Sequence, residues 1–147
     1  MFDYIMKGAI NKQGGAGQEA FFQDLCENIF GLDGHVRFVG LASQEGHVLG
    51  VKYPRRKKAT MTDIDIEKGL LPQVLQVELY HKVNKVAGKL RYHVGTFENL
   101  YAASIPIAFN PKERLFIIMS FDLGCDPVRI IEDKLLPLIQ SNRDYLV

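Results

Sequence analysis

Residues 115–121, Leu115-Phe116-Ile117-Ile118-Met119-Ser120-Phe121, form an almost unbroken apolar run. A strand with one wet face alternates apolar and polar side chains. A run without alternation marks a strand buried on both faces, central in its sheet, with helices above and below. Immediately upstream, Asn110-Pro111-Lys112-Glu113 is a turn signal with proline pre-set for the first central position. The stretch YAASIPIAF, residues 101–109, reads as the strand that leads into this turn. Downstream, Asp126-Pro127 opens a helix: aspartate caps it, and proline at the first helical position gives up an N–H that would be orphaned anyway. Pro137 is expected to bend that helix.

Working back towards the N-terminus, alternation at Leu90, Tyr92, Val94 and Thr96 predicts another strand. HVRFVGLAS (35–43) and HVLGVKY (47–53) are β-rich, and Gln44-Glu45-Gly46 joins them as a hairpin whose glycine supplies positive φ. Before them, Phe21, Leu25, Ile29 and Phe22, Cys26, Phe30 make two adjacent stripes of one helix face, which ends near Gly31. A long helix is expected from Thr62, with Asp63 and Asp65 at its start, to about Gly88, with a break at Pro72. It carries one apolar patch of Leu75, Leu79, Val83 and Val86 and a smaller one of Leu70, Val74 and Val77. A helix lying on a sheet needs only one apolar face, so the second patch requires a cover, either a partner or, more plainly, another helix.

The resulting order, α-β-β-α-β-β-β-α, defines an α/β (α+β) fold with a central five-stranded antiparallel sheet and helices on both faces. Its extent is one domain over residues 18–147, preceded by a flexible glycine-rich segment, 1–17. A length of 147 residues with 47% hydrophobic and 24% charged residues suits one globular domain. The formal charge of +1 gives no global case for nucleic acid or an anionic membrane. Two distant cysteines, the lack of a basic-then-apolar leader and the absence of a run of about 18 apolar residues predict a cytoplasmic protein without a membrane span.

Over roughly Gln18 to Asn142 this order, with the LFIIMSF strand at its centre, resembles the roadblock/LC7-like fold, a relative of profilin. The segment GLDGHVRFVGLASQEGHVLGVKY also resembles the opening of an uncharacterised family of small proteins from ammonia-oxidising archaea. The roadblock resemblance implies a homodimer or heterodimer joined through the long helix and the edge of the strand after it. It further implies a scaffold or regulator of a small GTPase or motor. Leu70, Val74, Val77 and His81 are then the candidate dimer interface. The longer N-terminal extension and the basic loop depart from the family pattern, so its partners do not transfer directly.

That basic loop, KYPRRKK, gathers Lys52, Arg55, Arg56, Lys57 and Lys58 as candidate anion or phosphate ligands, with Tyr53 able to stack on a base. A solvated loop is the commoner fate of such runs, and nucleic acid ranks below a protein partner. Gly14-Gly15-Ala16-Gly17 lacks the lysine and hydroxyl pair of a nucleotide-binding loop and reads as a linker. His35, His47, His81 and His93 fit no metal spacing, although His35 and His47 flank one hairpin. Cys26 belongs to an apolar stripe, Cys125 precedes a helix start beside Asp126, and Glu67, Glu78, Glu98, Glu113 and Glu132 form no evident pair. No catalytic residue, cofactor or metal is therefore assigned, and a non-enzymatic module is expected. The alternatives are a small-molecule sensor, with a pocket lined by Tyr92, Tyr101 and Phe109, or a nucleic-acid adaptor using residues 52–58.

Overall fold

The computed structural model describes residues 16–53, 84–110 and 113–141. In chain order they form α1 (Ala16–Phe30), β1 (Val36–Ser43), β2 (Val48–Lys52), α2 (Asn84–Ala87), β3 (His93–Thr96), β4 (Tyr101–Asn110), β5 (Glu113–Phe121) and α3, which runs from Pro127 to Ser141. The strands make one antiparallel five-stranded sheet in the order β2-β1-β5-β4-β3, so β5 is central, as its unbroken apolar run requires. Its residues divide by parity. Leu115, Ile117, Met119 and Phe121 face the helices α1 and α3, while Phe116 and Ile118 are buried on the opposite face with Ala42. The described helices α1 and α3 share one face. The helix expected across the other, from Thr62 onwards, lies outside the described residues apart from its end, α2, which stops at Gly88 in the left-handed conformation (φ +84°).

The β1–β2 hairpin closes as expected. Gly46 has φ 87°, its N–H donates to the Ser43 carbonyl, and the Ser43 N–H donates to the His47 carbonyl. A bulge follows, since Leu41 pairs with Gly50 but Ala42 with Val48. α1 lies close on this hairpin at Gly50, where a Cβ would stand 3.2 Å from both Cys26 Sγ and the Phe22 carbonyl oxygen. α1 begins at Ala16, inside the glycine-rich stretch expected to precede the domain; residues 1–15 lie outside the described ones.

β3 starts at His93 rather than near Leu90, and the cause sits on the facing strand. The Phe97 N–H donates to the Leu100 carbonyl at 2.9 Å, so 97 and 100 form the closing hydrogen-bonded pair of the β3–β4 hairpin. Every second β4 residue from there, Ala102, Ser104 and then Pro106, turns its main-chain groups towards β3. Proline has no N–H to offer, so pairing ends at His93 with Ser104.

In α3, Asp126 caps the start by accepting from the Arg129 N–H, with Pro127 at the first turn. Ahead of Pro137 the helix takes a π turn over Ile131–Leu135, in which the Leu136 N–H reaches the Ile131 carbonyl. A regular helix would press the Pro137 ring against the Asp133 carbonyl and leave that carbonyl without a donor, and widening the preceding turn relieves this. No described helix is long and apolar enough to cross a membrane.

Candidate functional site

The two outer edges of the sheet differ. On β2, the Gln23 side chain reaches from α1 and donates to the Val51 carbonyl at 2.8 Å, which occupies part of that edge. On β3, the residues that face β4 are His93 and Gly95, so Val94 and Thr96 turn their N–H and C=O groups outward, and no described strand pairs with them. At the end of this strand stands an exposed large apolar side chain, Phe97, at 54%. Val86 was grouped with the larger apolar patch of the long helix; it is exposed. The Phe97 ring folds over Gly95, 3.3 Å from where a Cβ would be, so the glycine gives the ring its seat.

The segment entering β3 is fixed to α3. Glu132, in the π turn, accepts from Tyr92 Oη and from Arg91 Nη2 at 3.1 Å, and the Arg91 guanidinium lies 5.6 Å from the Tyr92 ring centroid. The tyrosine hydroxyl and then the guanidinium hold the Glu132 carboxyl below its ordinary range. The same hydrogen bond pushes the Tyr92 hydroxyl up, because ionising it would bring two anions together. Sequence reading left Glu132 unpaired, since its partners are 40 and 41 positions away.

A second clasp ties α3 to the loop before β1. Asp33 accepts from Lys134 Nζ at 2.7 Å, from the His35 N–H at 2.9 Å and meets His35 Nδ1 at 2.8 Å. Lys134 first, then the two His35 contacts, hold the Asp33 carboxyl far below the usual carboxylate range. A depressed folded-state pKa stabilises the fold above the unfolded value, about 3.9, and that contribution is lost as the pH falls below it. Asp33→Asn is therefore expected to cost about 1 kcal/mol at neutral pH. The difference from wild type should shrink in urea titrations repeated at successively lower pH. A difference that stays constant down to the acid transition would show that the charge of Asp33 contributes nothing.

The other candidates fall as follows. Lys52 ends β2, half-buried and paired with Val39, whereas Arg55, Arg56, Lys57 and Lys58 lie outside the described residues, as do Leu70, Val74, Val77 and His81. Tyr53 is already engaged: its ring stacks on Phe38, centroids 6.4 Å apart. His35 and His47 do not approach each other, because they stand at opposite ends of β1. Cys26 is fully buried, and loss of solvation pushes its thiol up to about 12. The Cys125 thiol is raised as well, by burial first and then by Asp33, Asp122 and Asp126, against the lowering that a helix start would favour. Tyr92 and Tyr101 pack against the main core, and the Phe109 side chain lies outside the described ones. A groove does form nearby, between β4 and α3, lined by other residues. Among the described residues no cluster of three metal-ligating side chains occurs.

No protein-family model and no curated protein matches the chain. Solved structures do. MglB with a tetrameric arrangement aligns with TM-score 0.66 at 14% identity, covering 89% of this chain and 91% of its own. A roadblock/LC7 domain from Streptomyces avermitilis aligns with TM-score 0.60 at 13% identity, over 84% and 95%. Profilin II of Acanthamoeba castellanii aligns with TM-score 0.51 at 9% identity, over 82% and 98%. At such identities the likeness speaks for architecture, and the architecture of this chain is that of the roadblock/LC7 and profilin folds.

Proposed function

We propose that the protein is a non-enzymatic interaction module that works as a homodimer, joined through the β3 edge and the helix expected from Thr62 onwards, and that the dimer serves a protein partner such as a small GTPase. The asymmetry of the sheet edges supports this most directly. The β2 edge is partly capped by Gln23, while β3 presents outward peptide groups at Val94 and Thr96 beside the exposed Phe97. An uncapped edge next to apolar side chains is the geometry that a second copy completes by extending the sheet. Leu70, Val74, Val77 and His81 would supply the helix side of that interface. The tetrameric arrangement reported for MglB is consistent with a fold that self-associates. The GTPase partner follows from the roadblock resemblance and from nothing in the site itself.

Light scattering across a concentration series tests this. Wild type is expected to run as a dimer. Val74→Glu with Val77→Glu, and separately Val94→Pro, should each weaken association at least about a hundredfold by placing charge in the interface or deleting an outward N–H. The Val94 main-chain groups face away from β4, so its N–H meets no strand among the described residues. Wild type that stays monomeric at high concentration would overturn the homodimer.

A further inference from the structure

β4 continues well past the point where β3 stops. Pairing of the two ends at Ser104, and from Pro106 to Asn110 the outer side of β4 meets no strand among the described residues. By the parity set at the Phe97–Leu100 pair, the carbonyls of Pro106 and Ala108 and the N–H of Ala108 point outward here. Ala108 is exposed. Alongside runs a groove of about 320 Å³, lined by Ile105 and Ile107 of the sheet, Leu136 and Ile139 of α3, and the polar Arg91 and Gln140.

We propose that this groove is a strand-addition site for an extended segment of a partner protein, aliphatic at alternate positions and carrying one carboxylate. The added strand pairs its backbone with β4 beyond Pro106, sends every second side chain between β4 and α3, and sets its carboxylate against Arg91. Outward peptide groups in a row are matched by the backbone of an extended chain and by few other ligands. The period of two in such a chain delivers alternate side chains to one face, and that face is aliphatic here. Arg91 provides the charge complement. Its side chain is 65% exposed, and only one of its amino groups is engaged with Glu132, which leaves further donors in the guanidinium fork. Pro106 keeps the chain's own preceding segment from closing the edge, so the groove stays open beside an already formed sheet.

The full chain is panned against a phage-displayed library of random dodecapeptides, and the enriched sequences are synthesised and titrated by fluorescence anisotropy. Enriched peptides are expected to alternate aliphatic residues and to carry aspartate or glutamate. The complex should slow hydrogen exchange at the Ala108 amide about tenfold or more. Ala108→Pro deletes that amide without removing a bond to β5, and the ring of Pro106 is already tolerated at the equivalent position. It should weaken binding about tenfold, and Arg91→Ala about threefold, with cooperative unfolding retained. Failure to enrich any sequence, equal affinity of Ala108→Pro and wild type, or unchanged exchange at Ala108 in the complex would each overturn the proposal. A change of mass in Ala108→Pro by light scattering would overturn it too, by assigning the groove to a second copy of this chain.

Discussion

Phe116→Ala is expected to lower the free energy of unfolding by about 3–5 kcal/mol, which makes it the most damaging single truncation considered. The ring has no exposed surface and sits on the sheet face opposite α1 and α3, against Ala42 and Ile118, with half-buried Phe38, Val51 and Leu90 around it. How far a site collapses around a deleted ring sets the cost. Here collapse is restricted, because β5 is hydrogen-bonded on both sides and Phe116 faces Ala42 on β1 and Pro106 on β4. Neither neighbour can swing in a side chain large enough to fill the space. The measurement is urea unfolding at equilibrium, with a lowered midpoint and an unchanged slope. A loss below about 1 kcal/mol would mean that this face does not hold a packed core.

Gly50→Val should cost about 1–3 kcal/mol, opposite in sign to the usual gain when a β-branched residue replaces glycine in a strand. A branched side chain there meets Cys26 Sγ and the Phe22 carbonyl, each 3.2 Å from the Cβ position. The sulfur belongs to a side chain, but the carbonyl is helix backbone, so relief requires α1 to lift from the hairpin. Gly50→Ala should follow the same direction with a smaller loss. Combining Gly50→Val with Cys26→Ala removes one of the two obstacles, and the cycle should show a favourable coupling of at least about 0.5 kcal/mol. A Gly50→Val protein as stable as wild type would refute the close approach.

The parts of the fold that were legible are those decided by neighbouring residues. The missing alternation of 115–121 placed the central strand, Gly46 marked the β1–β2 hairpin, and Asp126-Pro127 marked the start of α3. What escaped was decided across the sheet or between elements. The apolar alternation read from Leu90 onward does not extend to Leu90, which packs on the Phe116 face while Tyr92 and Val94 pack on the other, and β3 itself is cut short by Pro106 on the facing strand. Tyr53 looked available for stacking, until Phe38, on the neighbouring strand, took it. Asp33 and Lys134, 101 positions apart, carry no local signal of their pairing. The helix patch and the greater part of the basic loop lie outside the described residues, so those candidates stand on sequence alone.

The strand order also dictates how the chain must assemble in time. β4 and β5 are adjacent in sequence and close with Asn110 opposite Glu113, and β1 and β2 are likewise neighbours. The seam between these two hairpins, β1 against β5, joins Val39 to Met119 across nearly all the intervening chain. Loop-closure entropy is paid in full before that seam returns any contact energy. The local hairpins are therefore expected to form before this seam, with their apolar faces uncovered until β1 reaches the central strand.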